Sequence, residues 1–383
     1  MSAPAVFTAR QTAAVMIVGV IGVLIPGLQP QLLGALLAEA RLSTSALGLL
    51  ATVELLAMGI AAGTAGWLLP VGRLRAIAAS ALVATAAFDL ATPLTSGTAL
   101  FAARIAAGLG EGVLIWLAIG LIVRAARPER WSGIYLALQT LAQLALAAAM
   151  GLSIVPLFGS AGGFTLLALV TALGLAALPW FPRAYTALDH GHMAGSALPP
   201  RGIVALIGVT LYLAFIVSVW VYVEPLALQR GIDTATVHLI APLSLAMQVA
   251  GAAAAAALAG RLPARSVVAA VASANLALLA VMAASPSAAA FVAATAIFGF
   301  LWLFAMPFQV PILIAADPSR RAATLIGGAQ LVGSSLGPFV AAFLVSEKDV
   351  GPVLWFGAAC AVTGVLALIG IGAGRDKILG KPT

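Results

Sequence analysis

The sequence predicts an all-α membrane protein with twelve transmembrane helices, arranged as two pseudo-symmetric six-helix bundles. Three observations lead to this prediction: the composition, the series of long apolar stretches and the distribution of cations. Of the 383 residues, 63% are hydrophobic and 8% are charged, whereas a soluble globular chain has about 45–50% apolar and about 25% charged residues. So few polar residues could not cover a water-exposed surface, and the chain is therefore expected to be solvated by lipid.

Apolar stretches recur along the whole chain, and a membrane span needs about 20 such residues. They lie near 11–38, 45–69, 76–94, 98–123, 131–157 and 163–182, and then near 203–229, 236–260, 266–284, 286–315, 322–346 and 351–373. The polar interval Arg183–Arg201 separates the two sets and is predicted to be a flexible linker. The expected organisation is an N-terminal six-helix bundle at 1–182, a cytoplasmic linker at 183–202 and a C-terminal six-helix bundle at 203–383.

The first stretch is interpreted as a spanning helix and not as a signal peptide. Ala38-Glu39-Ala40 has the pattern of a cleavage site. However, the run from Gln11 to Leu37 is much longer than the roughly 7–15 apolar residues of a signal peptide.

Lysine and arginine are concentrated in every second interval between the stretches. With the N-terminus in the cytoplasm, fifteen of the 19 lie in cytoplasmic segments, three lie on the opposite side and Arg104 lies within a span. The positive-inside rule then predicts an inner-membrane protein with both termini in the cytoplasm. The same distribution accounts for the net charge of +7, so membrane lipids are expected as neighbours and nucleic acid is not.

The two halves of the chain repeat one another. Matching residues recur at offsets of 193 and 191 positions, close to half of the chain length. The pairs are Pro70 with Pro263, Ser80 with Ser273, Arg130 with Arg321 and Gln139 with Gln330. A parallel repeat of two six-span halves is a known transporter design.

Span 4 carries the string Arg104-Ile-Ala-Ala-Gly108-Leu-Gly110-Glu111-Gly112. It resembles the R-x-x-x-G-x-G motif of the major facilitator superfamily, and the resemblance extends over essentially the whole chain. Glu111 with the later Pro128-Glu129-Arg130 is similar to the anion–cation symporter branch, although the string is also similar to spinster-type lipid transporters.

The family's motif in the loop between spans 2 and 3 is present in part. It is matched by Gly66, Leu68, Gly72, Arg73 and Arg75, while Pro70 stands roughly where the family has an aspartate. The resemblance implies a role in conformational change for the motif residues Gly108, Gly110, Gly66, Gly72, Arg73 and Arg75.

The resemblance implies a secondary active transporter, not an enzyme, which moves a small organic solute by alternating access through a cavity lined by spans 1, 4, 7 and 10. The first hypothesis is proton-coupled transport of an organic acid or related metabolite. The alternative is efflux of lipophilic or amphipathic compounds, drugs or lipids, by proton antiport. Span 5 lacks the G-P-x-x-G signature of drug antiporters, and span 1 lacks the arginine of many organic-anion symporters. Because one chain holds both halves, a monomer is expected. No cofactor is expected.

Four charged residues lie well within predicted spans: Glu54, Asp89, Arg104 and Glu111. Glu224, before Pro225, is expected near the periplasmic interface. A charge at the bilayer centre costs at least ~2.5–3.5 kcal/mol, so each one needs a reason. In the functional interpretation Glu111 takes up the coupling proton, and Arg104 modulates it or anchors a substrate anion. In the structural alternative Asp89 or Glu54, at a similar depth, simply neutralises Arg104. Arg104 and Glu111 are two helical turns apart, about 10 Å along the axis, and are expected to be too distant for a direct pair.

Uncharged polar and aromatic side chains within the spans are candidates for the substrate cavity. They are Gln139, Gln143, Gln248, Gln309, Gln330, Trp302, Tyr212 and Trp220. Trp302 occupies the repeat position of Glu111, so an acid on one wall and an aromatic ring on the other are expected, which suits an amphipathic or aromatic solute. The alternative for the glutamines is hydrogen bonding between helices.

Two further patterns are interpreted as structural. Gly333-Ser334-Ser335-Leu336-Gly337 matches the G-x-S-x-G elbow of serine hydrolases. It lies in an apolar stretch without a suitable histidine, so Gly333 and Gly337 are predicted to form a helix-packing seam. The single Cys360 excludes an internal disulfide, and no metal site is expected.

Overall fold

The computed structural model describes residues 7–122, 124–125, 128–185, 198–258, 261–284, 287–317 and 321–370, and these residues are almost entirely helical. Residues 186–197, most of the predicted linker, lie outside the described part, as does the segment 371–383. The first helices are α1 (Ala9–Ile21), α2 (Ile25–Ala38), α3 (Thr44–Leu68), α4 (Leu74–Ala91), α5 (Gly97–Ile122), α6 (Pro128–Ala149) and α7 (Val155–Leu173). They are followed by α8 (Pro200–Gln229), α9 (Thr234–Leu258), α10 (Ala264–Ala284), α11 (Ala288–Ala316), α12 (Arg321–Thr324), α13 (Ile326–Leu344) and α14 (Pro352–Gly370).

Within the described residues, eleven helical segments are long and apolar enough to cross a membrane. One of them, Gly133–Trp180, is 48 residues long. At 1.5 Å per residue it measures about 72 Å, more than twice the roughly 30 Å of a hydrocarbon core. It contains a π-helical segment at Met150–Ile154 and a kink at Gly159, whose φ of 62° and ψ of −155° are essentially restricted to glycine. The predicted spans 131–157 and 163–182 meet at this kink.

Two other predicted spans are interrupted. The stretch 11–38 forms α1 and α2, which are separated at residues 22–24. Pro26, in the first turn of α2, explains the break because proline has no N–H to donate to the carbonyl four residues earlier. The stretch 322–346 is likewise divided at Leu325 into α12 and α13.

The chain forms two compact units, which are described separately. Unit 1 comprises Met1–Ser43 and Val53–Ala194, and unit 2 comprises Thr44–Thr52 and Gly195–Thr383. The start of α3, Thr44–Thr52, is therefore grouped with unit 2, whereas the predicted domains placed it in the N-terminal bundle. Helix α8 begins at Pro200, slightly before the predicted start of the second bundle at 203.

Unit 1 is built around α5, against which α1 and α4 pack, with α7 packed on α4. In unit 2, α8 packs against α13 and α14, and α11 packs against α9 and α10. Gly333 and Gly337 of α13 lie against the carbonyl oxygens of Thr210 and Ala214 on α8, where a Cβ would clash. This contact confirms the predicted packing seam. Large apolar side chains such as Leu157, Phe343 and Trp355 are more than half exposed, as expected for a surface that faces lipid.

Candidate functional site

Unit 1 contains a buried cluster of four charged side chains from three helices, which we call the charge cluster. Arg104 and Glu111 come from α5, Asp89 from α4 and Glu54 from α3. Glu54, Asp89 and Arg104 are fully buried, and Glu111 is 2% exposed. The structure therefore brings together the four charged residues that the sequence placed well within spans, whereas Glu224 is buried on α8 in unit 2.

Arg104 is the cation at the centre of the charge cluster. Its Nη1 donates to Asp89 Oδ1 at 2.7 Å and to Thr92 Oγ1 at 3.2 Å. Its Nη2 donates to Glu54 Oε1 and lies 3.6 Å from Glu111 Oε1. One guanidinium thus faces three carboxyl groups.

The expectation that Glu111 is too distant to pair with Arg104 is wrong. The two backbone positions are two turns apart, but the extended arginine side chain covers most of that distance along the helix surface. At 3.6 Å the contact is an ion pair, yet it is longer than a charge-assisted hydrogen bond of about 2.7–2.9 Å. Glu111 is therefore the most loosely held of the three acids.

The ring of Phe164 on α7 covers the guanidinium. The Cζ atom of Arg104 lies 5.0 Å from the ring centroid, which is within the range of a cation–π interaction. Phe164 is itself fully buried. The aromatic ring excludes water from the arginine and so strengthens its attraction to the carboxyl groups.

The numbers of charges in the cluster do not balance. Three carboxylates and one guanidinium would carry a net charge of −2 if all were ionised, and burial of uncompensated charge is costly. Each carboxyl group has one oxygen without a hydrogen-bond partner among the described residues: Glu54 Oε2, Asp89 Oδ2 and Glu111 Oε2. The arrangement is chemically suited to hold protons and to release them.

Small residues on α5 allow the three helices to approach this closely. A Cβ at Gly108 would lie 2.6 Å from the carbonyl oxygen of Glu54, and one at Gly110 would clash with Thr85 Oγ1. Gly112 lies in the same way against Met58 O of α3. The glycines of the span 4 motif thus set the distance at which Arg104 meets Glu54 and Asp89.

Sequence reasoning missed three members of the site. Thr92 and Phe164 contact Arg104 as described above. Gln29 of α2, 1% exposed, lies near Glu54, and neither of its amide atoms has a hydrogen-bond partner among the described residues. Gln29 could have been found as a polar residue within an apolar stretch. Phe164 gave no signal, since a phenylalanine in a span is ordinary core or lipid-facing material.

The two glutamines predicted on span 5 have different surroundings. Gln143 is 6% exposed, and its Nε2 donates to Val23 O at 2.6 Å. Val23 lies in the break between α1 and α2, where the helix leaves carbonyls without partners, so Gln143 supplies a missing donor. Gln139 is half-buried.

In unit 2 the predicted aromatic residues lie together. The rings of Trp220 and Trp302 pack edge to face with centroids 6.0 Å apart. The Tyr212 hydroxyl donates to the carbonyls of Leu301 and Trp302, at 3.3 Å each. These contacts join α8 to α11.

The remaining predicted glutamines of unit 2 differ in burial. Gln309 is fully buried, and neither of its amide atoms has a hydrogen-bond partner among the described residues. Gln248 is 4% exposed and its Nε2 is likewise unpartnered within that part of the chain. Gln330 is half-buried.

The motif between α3 and α4 lies at one end of unit 1. Arg75 Nε donates to Phe181 O at 2.6 Å, and the backbone of Val71 and Leu74 bonds to Tyr185 and Arg183. Arg75 therefore links the start of α4 to the segment that follows α7. Gly66, Gly72 and Arg73 are exposed, and the conformational role of this motif stays a prediction.

Comparison with solved structures finds similar folds over nearly the whole chain. The nucleoside transporter NupG superposes with a TM-score of 0.72 at 12% identity, covering 94% of this chain and 100% of that one. The D-xylose-proton symporter gives a TM-score of 0.69 at 15% identity, with 95% and 97% covered. A bacterial homolog of the human lysosomal transporter Spinster, inward-facing and unoccupied, gives 0.61 at 16% identity, with 94% and 95% covered.

Sequence comparison gives no further relatives. No protein-family model matches the chain, and no curated protein sequence matches it. At 12–16% identity the three structures establish the fold.

Proposed function

We propose that this chain, which has the fold of the major facilitator transporters, is a secondary active transporter. It moves a small organic solute, an organic acid or a related metabolite, in symport with protons. The fold supports the general function, since the three similar structures are all transporters and one is a proton symporter. Alternating access between two states would then be biased by proton and solute binding.

The buried charge cluster is the observation that carries the proton-coupling proposal. A site with three carboxyl groups and one cation gains from protonation, because full ionisation leaves net negative charge away from water. Glu111 is the proposed proton carrier. It makes the longest contact with Arg104, 3.6 Å, and its side chain is the most exposed of the four, at 3%.

Competition for Arg104 would couple the proton to an anionic solute. While Glu111 is ionised, it shares the guanidinium with Glu54 and Asp89. Protonation of Glu111 removes one negative charge, and a substrate carboxylate can then replace it beside Arg104, so that binding of the proton and the anion together leaves the net charge of the cluster unchanged. Loss of that proton would restore the Glu111 contact and expel the anion.

Within unit 2, aromatic and amide groups of α8, α9 and α11 are proposed as solute contacts in their own right. Trp302 is half-buried and packs on the buried Trp220. Within the described part of the chain, both amide atoms of Gln309 and Nε2 of Gln248 lack hydrogen-bond partners and could bond to a solute. Gln139 and Gln330, both half-buried, are further candidates.

The proposed topology has twelve crossings, with both termini on the cytoplasmic face of the inner membrane. The length of Gly133–Trp180 and its kink at Gly159 support two crossings in this segment. The proposed bundles are 1–182 and 203–383, joined by a linker at 183–202. Because each chain supplies both, a monomer surrounded by lipid is the proposed working unit.

Flux measurements in proteoliposomes test the proposal. A thermal-shift panel at two pH values, with carboxylates, lipophilic cations and lysolipids, first identifies a stabilising solute. A pH gradient should then drive accumulation of that solute by the wild type. Glu111→Gln should retain solute exchange but lose pH-driven accumulation. Asp233→Asn, a change of an exposed acid outside the cluster, should keep both and serves as the matched control.

Two results would overturn the proposal. Equal pH-driven accumulation by wild type and Glu111→Gln would remove Glu111 as the proton carrier. Stabilisation by lipophilic cations or lysolipids alone would exclude organic-acid transport.

A further inference from the structure

An apolar groove runs along the lateral surface of unit 1, between α1, α6 and the end of α7. It has a volume of about 560 Å³, and all the residues that line it are apolar, among them Met16, Leu138 and Val170. It shares no residue with the charge cluster. In a membrane-spanning chain such a surface is filled by lipid.

A second cavity of about 530 Å³ continues the groove towards the start of α1. The two share Ala13, Ile17 and Leu173, and the second is also lined by Arg10 and Trp180. The groove therefore has an apolar length and one end with a cation and an indole ring. Tryptophan is typical of the level of lipid headgroups.

The length of the groove matches one leaflet of a bilayer. From Arg10 to Ile21, where α1 ends, the rise is about 17 Å at 1.5 Å per residue, and the groove continues past the helix break to Leu24. Half of a bilayer, with its headgroup region, measures roughly 20–22 Å. An acyl chain in the groove would thus place its headgroup at Arg10.

The charge at the end of the groove selects the headgroup. Arg10 makes no ion pair with any described residue, and no acidic side chain lines either cavity. Trp180 is 49% exposed beside it. An unpaired cation at a membrane interface attracts anionic lipid.

We infer that this groove is a binding site for one anionic phospholipid, with an acyl chain along α1 and the phosphate at Arg10. The lipid fills the space between α1, α6 and α7 and ties the first span to the fifth and sixth. The inference requires only that the chain spans a membrane and does not rest on the proposed transport.

Native mass spectrometry of the full chain in detergent tests the inference. Phosphatidylglycerol and phosphatidylcholine with identical acyl chains are added at equal concentration, and bound lipid is counted. The wild type should retain phosphatidylglycerol about fivefold more strongly, the factor expected for one cation near an anionic interface. Arg10→Gln should abolish this preference, whereas Arg265→Gln, an exposed cation of unit 2, should preserve it.

A second pair of variants tests the groove itself. Ala145→Phe fills the groove from α6 and should reduce retention of both lipids. Ala137→Phe, exposed on α6 but outside the groove, should leave retention unchanged. Equal loss of preference in Arg10→Gln and Arg265→Gln, or unchanged retention in Ala145→Phe, would overturn the inference.

Discussion

Arg104 illustrates how a single residue determines the energetics of the span interior. Its guanidinium has carboxyl groups from α3, α4 and α5 and the Phe164 ring as neighbours. A buried charge is tolerated only when it is paired, and removing one partner leaves the others uncompensated. Three acids depend on this one cation, so its loss has a larger effect than the loss of any one acid.

Replacement of Arg104 by glutamine should therefore destabilise the protein by about 3–5 kcal/mol. The loss should be larger at pH 8 than at pH 5, because ionisation of the remaining carboxyl groups is no longer compensated at the higher pH. Thermal unfolding in detergent at the two pH values measures both effects.

A triple variant provides the control for this prediction. Combining Arg104→Gln with Glu54→Gln and Asp89→Asn removes two of the three uncompensated acids and should restore part of the lost stability. If the single and triple variants unfold at the same temperature at pH 8, the ion pairs are not the source of the effect.

At the scale of helices, α5 packs close to its neighbours because glycines on its surface have no side chain to separate the backbones. Gly108 and Gly112 face the backbone of α3, and Gly110 faces α4. The span 4 motif therefore combines two functions on one helix: it supplies charges and it sets the spacing at which those charges meet. Any Cβ added at this seam separates α5 from the helix that carries Glu54.

Gly108→Ala should lower stability by about 1–3 kcal/mol, the usual cost of overpacking a close contact. It should also weaken proton coupling, because Arg104 moves away from Glu54. Unfolding temperature and pH-driven flux are the two measurements.

Gly63→Ala on α3 is the matched control, since a Cβ there meets no atom within 4 Å. It should be neutral or stabilising by up to roughly 1 kcal/mol, the difference in helix propensity. A destabilisation equal to that of Gly108→Ala would show that the effect does not come from the close contact between α5 and α3.

For the whole molecule, the number of crossings decides on which side each end lies. The described residues contain eleven spanning segments, one of which is long enough for two crossings. The kink at Gly159 lies in that segment, and the neighbouring Leu157 and Phe158 are exposed. An even number of crossings places the two termini on the same face, and an odd number places them on opposite faces.

Reporters fused to the N- and C-termini should therefore both be active on the cytoplasmic side. Cysteine introduced at Phe158, in a chain where Cys360 is replaced by alanine, should react with an impermeant reagent added from outside. Termini on opposite sides would contradict the twelve-crossing topology.

The sequence alone determined the class of the protein and the approximate positions of its helices. Lipid solvation imposes a minimum length and an apolar composition on every span, so the spans can be counted from composition. Charges within them also stand out, and Glu54, Asp89, Arg104 and Glu111 were identified as a set. The breaks at residues 22–24 and at Leu325 could not be located from hydropathy, which does not change at a helix interruption, although Pro26 marks the first of them.

Only the tertiary structure decided which of these groups meet. The position of a residue along a helix gives its depth, but not the rotation of the helix or the reach of the side chain. Glu111 was therefore predicted to be too far from Arg104, although the arginine extends to within 3.6 Å of it. Phe164 and Thr92 joined the site for the same reason. Contacts between helices depend on how their faces pack, and that packing is a property of the folded chain.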